Sequence, residues 1–145
     1  MLVRKIFLTF IVFGMVVSCT KKMEVFNEPV KDLKAVWRIQ NITRNSVDIT
    51  QFIDSAGFRL SLSDDSSYTL RGNNIPFLVN SPGGKWSADD PKYPYNITFS
   101  PADSAKSFKG SIATPVSKGE RVLSITFSPG CESNTYIYTF EKVNP

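Results

Sequence analysis

Apolar and polar residues alternate along several short stretches of this chain. A period of two is typical of β-strands that bury one face of an antiparallel sheet and expose the other. Three stretches show the pattern most clearly, and their apolar residues are Phe58, Leu60 and Leu62; Tyr95, Ile97 and Phe99; and Tyr136, Tyr138 and Phe140. Each of these sets is therefore predicted to face a common core.

From residue 34 onward, segments rich in β-branched and aromatic residues are separated by Gly, Pro, Asn, Asp and Ser. Such spacing predicts short strands joined by turns. We place eight strands at residues 35–42, 57–63, 67–71, 84–86, 95–100, 107–113, 121–127 and 135–142. The segment 48–53 is predicted to form a helical turn, with Asp48 or Thr50 as its cap.

Eight short strands at this spacing either close into a barrel or pack as a two-sheet sandwich. Closure leaves no sheet edge unpaired, which favours the barrel in a chain without disulfides. An immunoglobulin-type sandwich would usually show a Cys…Trp…Cys spacing, which this chain lacks. We therefore predict an all-β domain over residues 34–145, an antiparallel up-and-down eight-stranded barrel, with the β-sandwich as the alternative.

The first 22 residues follow a different pattern. Arg4 and Lys5 precede an apolar run of 12 residues, 6–17, which is shorter than the roughly 20 needed for a spanning helix. Val17-Ser18-Cys19 ends the run and resembles a bacterial lipobox. The resemblance implies a signal peptide at 1–18, a lipid on the Cys19 sulfur and a tether at 19–33. An ordinary signal peptide and an uncleaved anchor are the alternatives.

The charge and cysteine content of the chain limit the kinds of partner and crosslink that we expect. The chain has 17 Lys and Arg against 13 Asp and Glu, and loss of residues 1–18 would remove two of the basic residues and no acid. The remaining excess of two positive charges is scattered, so no nucleic-acid partner is expected. With Cys19 carrying lipid, Cys131 is left alone, and no intramolecular disulfide is predicted.

Candidate catalytic groups are sparse. The chain contains no histidine that could activate a serine or Cys131 as a nucleophile. The acidic pairs Asp64-Asp65 and Asp89-Asp90 fall in turns, and adjacent residues in an extended chain point to opposite sides. We therefore expect that the protein is not an enzyme and uses no metal or cofactor.

Aromatic residues are the candidate ligand-binding groups. Five of them are predicted to point into the barrel, namely Trp37, Tyr68, Trp86, Tyr136 and Tyr138. They would either line a cavity for a hydrophobic or glycan ligand or fill the interior as core. The filled core is favoured. Tyr93 and Tyr95 stand between prolines, which suits either a rigid recognition loop or a tight connection.

A series of short motifs carries a resemblance to a known group of proteins. The motifs are Ala35-Val36-Trp37-Arg38-Ile39, Leu60-Ser61-Leu62, Ser67-Tyr68-Thr69-Leu70, Gly84-Lys85-Trp86 and Tyr136-Ile137-Tyr138-Thr139-Phe140. Their order is similar to that in small lipocalin-like lipoproteins of Bacteroidota, whose function is unknown. In such bacteria, Asp54-Ser55-Ala56 and Asp103-Ser104-Ala105 resemble O-glycosylation acceptors, with Ser55 and Ser104 as the modified residues.

Together, these features predict a non-enzymatic lipoprotein of the bacterial cell envelope. It would be anchored to the outer membrane facing the periplasm, with the cell surface as the alternative. Its barrel would bind a small hydrophobic or glycan ligand or a protein partner. The alternative function is that of an accessory subunit of an outer-membrane complex, for example one that takes up glycans.

Overall fold

Eight antiparallel strands of the described residues close into a barrel. The computed structural model describes residues 31–72, 75–131 and 133–143. The barrel strands are β1 (Ala35–Arg44), β3 (Arg59–Leu62), β4 (Ser67–Arg71), β5 (Gly83–Ala88), β6 (Asn96–Pro101), β7 (Phe108–Ala113), β10 (Leu123–Phe127) and β11 (Tyr136–Lys142). Each pairs with the next in this order, and β11 pairs with β1 to close the sheet. The predicted up-and-down barrel is confirmed, and the sandwich alternative is wrong.

Two small elements lie outside the barrel order. A short strand, β2 (Val47–Asp48), folds back on the end of β1. A two-residue hairpin of β8 (Val116–Ser117) and β9 (Glu120–Arg121) projects from the connection between β7 and β10. This hairpin was not predicted, and residue 121 was assigned to the following strand, because a two-residue strand is too short to show alternation.

The predicted helical turn is present as a 3-10 turn, Thr50–Phe52. The predicted cap was wrong, because Ile49 occupies the N-cap position and makes no side-chain cap bond. Asp48 precedes it, and its Oδ1 accepts a hydrogen bond of 2.8 Å from the Thr50 amide. The Thr50 hydroxyl instead accepts from the amide of Ile42 at 2.8 Å, which ties the turn to β1.

The alternating residues face the core as predicted, with one exception. Phe58, Leu60 and Leu62 are buried, as are Ile97 and Phe99 on β6. Tyr95 is the exception, because β6 begins at Asn96 and Tyr95 is 70% exposed. The prediction that it faces inward was wrong. Its amide donates to the carboxylate of Asp89, while its carbonyl accepts a hydrogen bond of 2.8 Å from the amide of Ile112 on β7.

The barrel has two distinct ends. At the entry end, residues 31–34 lead into β1, beside the turn 63–66, the loop 89–95 and the connection 114–122. At the far end lie the connection 45–58, the loop 75–82 and the turn 102–107. Leu33 is buried across the entry end, where its carbonyl accepts a hydrogen bond of 2.8 Å from Nε1 of Trp37. The first residues of the domain thus cover part of that opening.

Candidate ligand-binding groove

The aromatic residues predicted as a binding site separate into two groups. Trp37, Tyr68, Tyr136 and Tyr138 are buried inside the barrel. Trp86 is partly buried at the entry end, and the exposed Tyr93 and Tyr95 lie in the neighbouring loop 89–95. The structure therefore does not bring the seven residues together into one site.

Side chains fill the interior of the barrel. Phe127 stacks on Tyr136 and Tyr138 with ring centroids 5.7 and 5.5 Å apart. Tyr138 in turn lies 6.2 Å from Phe140, so the rings form a continuous layer along β10 and β11. Burial raises the pKa of the Tyr138 phenol, which keeps it protonated as a hydrogen-bond donor. The interior rings act as core.

Phe77, which the sequence analysis did not single out, completes this core from outside the sheet. It lies in the loop 75–82, and its ring centroid is within 5.3 to 6.2 Å of five others, those of Phe58, Phe99, Phe127, Tyr138 and Phe140. The sequence did contain a signal for this role, since Phe77, Leu78 and Val79 form a short apolar run between Pro76 and a polar residue.

A groove of about 570 Å³ lies at the entry end. Three parts of the chain form its walls, namely residues 31–34, the turn between β3 and β4, and the segment from the end of β5 into the loop 89–95. The lining residues are Lys31, Asp32, Leu33, Lys34, Asp64, Ser66, Trp86, Ser87, Ala88, Asp90, Pro91 and Pro94. The groove thus combines one large aromatic ring with hydroxyl, carboxylate and ammonium groups.

The position of Trp86 follows from its strand. It pairs with the buried Phe99 across β5 and β6, which directs its side chain to the inner face of the sheet. Near the end of β5, the indole reaches the opening, and its Nε1 donates to the carbonyl of Ser63 at 3.3 Å. This bond holds the ring at the mouth of the barrel with part of its surface accessible.

An ion pair joins two walls of the groove. Nζ of Lys34 lies 3.0 Å from Oδ1 of Asp64, and a hydrogen bond with that carboxylate raises the pKa of Lys34. Asp32 accepts a hydrogen bond of 3.0 Å from the Lys34 amide. Both side chains of the ion pair are solvent-exposed, so the pair orients the wall and contributes little stability.

Asp89 and Asp90 shape the wall formed by the loop 89–95. Oδ1 of Asp89 accepts from the amides of Tyr95 and Asn96 at 2.9 and 3.0 Å, and its Oδ2 accepts from Nδ2 of Asn96 at 2.7 Å. These bonds lower the pKa of Asp89 to about 2. Asp90 accepts from the amides of Lys92 and Tyr93 at 2.7 Å each. The predicted turn role of this acidic pair is confirmed.

Cations cover the ring of Tyr93 beside the groove. Nζ of Lys31 lies 5.6 Å and Nζ of Lys92 lies 5.3 Å from the ring centroid, within range of a cation–π contact. Lys31 therefore contacts the loop 89–95 while it lines the groove. Tyr95 is not among the lining residues.

The remaining predicted positions lie away from the groove. Ser55 and Ser104 both occupy far-end loops, where Ser104 is exposed and Ser55 is partly buried. Cys131 is an exposed free thiol in the turn after β10. Cys19, with the predicted signal peptide and most of the predicted tether, lies outside the described residues.

Two further properties apply to the described part of the chain. No group of three or more His, Cys, Asp or Glu residues comes together there in a way that would hold a metal ion. Nor does that part contain a helix with the length and apolar character needed to cross a bilayer.

The fold and the groove define a small closed β-barrel with a surface groove at one end. The chain belongs to the family described as Domain of unknown function (DUF5004), which it matches over residues 15–141. No curated protein and no solved structure was found to match it.

Proposed function

We propose that this protein is a non-enzymatic, lipid-anchored binding protein of the bacterial cell envelope, with the entry-end groove as its ligand site. The observation that supports the proposal is the contrast between the filled interior of the barrel and the open groove at its entry end. The barrel interior is filled by packed rings, whereas the groove offers about 570 Å³ beside an accessible indole. A ligand that leaves the packed interior in place would bind at the surface, and the groove is where the accessible indole lies.

The chemistry of the groove favours a neutral oligosaccharide. Sugar rings stack their apolar C–H faces on an indole, and their hydroxyls exchange hydrogen bonds with carboxylates, hydroxyls and ammonium groups. Trp86 supplies the ring, and the surrounding polar groups supply the hydrogen bonds. The lining holds the cations Lys31 and Lys34 against the anions Asp32, Asp64 and Asp90, a balance that does not favour a highly charged ligand.

The anchor is proposed from the lipobox resemblance at Cys19. Diacylglyceryl modification of the Cys19 sulfur and acylation of the new amino terminus would supply more than one chain, which is what stable membrane attachment needs. Eleven residues lie between Cys19 and Lys31, which gives a reach of at most about 40 Å. The groove would then lie close to the membrane surface, with the outer membrane as the proposed location.

The absence of an enzymatic role is likewise a proposal. It is supported by the acidic residues of the entry end, since Asp89 and Asp90 accept hydrogen bonds from their own loop backbone. A carboxylate held in this way, with its pKa lowered, is a poor general base at neutral pH.

Titration of the purified domain with neutral oligosaccharides tests the ligand site. We expect tryptophan fluorescence to change on binding, and Trp86→Ala to weaken affinity at least tenfold because the stacking surface is lost. Trp86→Phe should retain part of the affinity. Tyr95→Ala serves as the control, since Tyr95 is exposed but does not line the groove. Equal affinity of Trp86→Ala and the unmodified protein would contradict the site.

An accessory-subunit function is a second candidate, because of apolar side chains exposed at the far end. Phe52 is 77% exposed and Val47 is 63% exposed, both in the connection between β1 and β3. Crosslinking in intact membranes tests this role. A stoichiometric partner that is lost in Phe52→Ser but retained in Val116→Ser, an exposed residue at the entry end, would support it.

A further inference from the structure

The ring of Phe77 is partly buried and packs against the core of the barrel without belonging to any strand. Five inward-facing rings surround it, and the nearest is that of Tyr138 at 5.3 Å. Ile75 and Val79, which flank it in the same loop, are also buried. A segment of loop, residues 75–81, therefore closes the far end and fills space that the strands leave open. We refer to it as the stopper.

One hydrogen bond ties the centre of the stopper to the barrel wall. The hydroxyl of Tyr138 donates to the carbonyl of Pro76 at 2.7 Å. Within the described part of the chain, this is the hydrogen bond that joins residues 75–80 to a strand. The amide of Phe77 bonds within the stopper, to the carbonyl of Ile75 at 2.8 Å. We refer to the Tyr138–Pro76 bond as the latch. Ser81, at the end of the stopper, also donates to Gly83 of β5, so residues 75–80 are held by the latch and by apolar contact, which a bound ligand would replace.

A buried polar group lies beneath the same loop. Among the described residues, the hydroxyl of Tyr68 makes no hydrogen bond of good geometry, although the residue is 1% exposed, and its nearest polar neighbour is the Ser81 side chain. Ser81, at the end of the stopper, lies close enough to influence it, but its own hydroxyl donates to the carbonyl of Gly83 at 3.2 Å. A buried hydroxyl without a partner is costly, so a group that accepts its proton would bind there favourably.

We propose that the stopper occupies a second ligand site inside the barrel, which a small neutral amphiphile enters by displacing Phe77. The apolar body of the ligand, a ring or a short branched chain, takes the place of the Phe77 ring among the surrounding aromatic side chains. A single acceptor such as a ketone oxygen takes the proton of the Tyr68 hydroxyl. An anionic head group is disfavoured, because Asp103 already places negative charge near that hydroxyl.

The barrel wall offers a route for this exchange. β7 and β10 pair over three residues, Ser124 to Thr126, and then diverge toward the far end. A cleft of about 340 Å³ lies where they part, lined on one side by Phe77 and Leu78 of the stopper and on the other by Phe127 and Pro129. Movement of the stopper would open this cleft to the interior without breaking the strand pairs.

The test uses two probes of equal shape, acetophenone and α-methylstyrene, which differ in a carbonyl oxygen. Binding is measured by displacement of the fluorescent probe N-phenyl-1-naphthylamine from the full chain carrying Cys19→Ser, since an acyl chain on Cys19 would itself be an apolar ligand. Phe77→Ala should bind both probes more tightly than the parent. Phe77→Leu, which keeps an apolar side chain, provides a second opened site if the alanine variant folds poorly.

The Tyr68 hydroxyl is tested in the opened variant. Tyr68→Phe should weaken acetophenone binding about fivefold, the value of one ordinary hydrogen bond, and leave α-methylstyrene binding unchanged. The comparison cancels the cost of removing the ketone from water, which is the same in both proteins. Equal effects on the two probes, or no effect on either, would overturn the proposed ligand orientation.

The latch is tested without enlarging the cavity. Tyr138→Phe removes the bond to Pro76 and should tighten probe binding to the parent severalfold, because the open state becomes more populated. Tyr136→Phe is the matched control on the same strand and should have no effect. Failure of the Phe77 variants to bind either probe, or an unchanged affinity in Tyr138→Phe, would overturn the site. Trp86→Ala should leave all these values unchanged, which separates this site from the entry-end groove.

Discussion

The ring of Tyr68 lies directly against the backbone of Gly84 on the neighbouring strand. A Cβ on Gly84 would stand 2.9 Å from Cε1 of Tyr68 and still closer to the carbonyl oxygen of Ser100. Tyr68 and Gly84 are paired residues of β4 and β5, and the Tyr68 ring packs edge-on against Phe99 at 5.0 Å. The small residue therefore leaves the space in which the large one is buried.

Gly84→Ala is expected to destabilise the protein by about 2 kcal/mol, the usual cost of forcing extra volume into a packed core. The added methyl meets backbone atoms of β6, which a side-chain movement does not relieve. Urea unfolding gives the change in free energy. Gly57→Ala is the control, because a Cβ at Gly57 meets nothing within 4 Å, and it should be neutral or slightly stabilising. Equal stability of the two variants would contradict the packing argument.

Removal of the indole donor of Trp37 should loosen the first residues of the domain. Trp37→Phe leaves the buried carbonyl of Leu33 without its 2.8 Å partner and should cost about 2 kcal/mol in unfolding free energy. Trp86→Phe removes a longer and exposed bond, 3.3 Å to Ser63, and should cost less than about 1 kcal/mol. Hydrogen exchange at residues 33–36 should rise in the first variant, and an unchanged exchange rate there would count against the role of this bond.

Acid should weaken the loop 89–95 through Asp89. Its pKa falls from 3.8 to about 2 because the backbone and side chain of Asn96 bond to the ionised carboxylate. The stabilisation is therefore complete above pH 3.8 and is lost as the pH falls from 3.8 toward 2. Asp89→Asn removes this dependence and lowers the melting temperature at neutral pH, since an amide nitrogen in place of Oδ2 does not accept from Asn96.

Thermal melts between pH 2 and pH 7 measure this effect. Asp54→Asn, the same exchange in a far-end loop, is the control and should keep the acid-dependent loss of melting temperature seen in the parent. If Asp89→Asn shows the same dependence as the parent, the carboxylate of Asp89 does not hold the loop.

The thiol of Cys131 should react faster than an ordinary cysteine. The hydroxyl of Ser133 lies 2.9 Å from its Sγ and is the main cause of a lowered pKa. More of the thiol is then ionised near neutral pH, and the thiolate is the reactive form. Ser133→Ala should slow alkylation by iodoacetamide at pH 8 in a chain carrying Cys19→Ser. Ser128→Ala is the control in the same turn and should react at the parent rate.

The strands could be predicted from the alternation of apolar and polar residues, because this alternation reflects burial of one face of a sheet. Leu60, Leu62, Ile97 and Phe99 all face the core as their spacing indicates. The limits of the pattern lie at loops. Tyr95 continues the alternation of β6 in sequence, yet it lies just before the strand and its side chain is exposed. Its amide donates to Asp89, although its carbonyl still accepts from Ile112 of β7.

The candidate site was less predictable, since grooves arise between segments distant in sequence. Trp86 was identified as a large residue of a strand, but its position at the opening depends on where β5 ends relative to the turn at Ser63. Lys31 and Asp64 were not expected to line the same groove as Trp86. The central role of Phe77 was missed, because a loop residue carries no periodicity that would point it inward.

The sequence by itself determined the number and order of the barrel strands, the burial of their alternating faces and the separate character of the first 22 residues. These properties follow from local patterns of polarity, which act over a few neighbouring residues. Only the tertiary structure decided that the interior is filled and that the accessible indole lies at the entry end. Both depend on a loop and a terminal segment packing against strands far away in the chain, which no local pattern specifies.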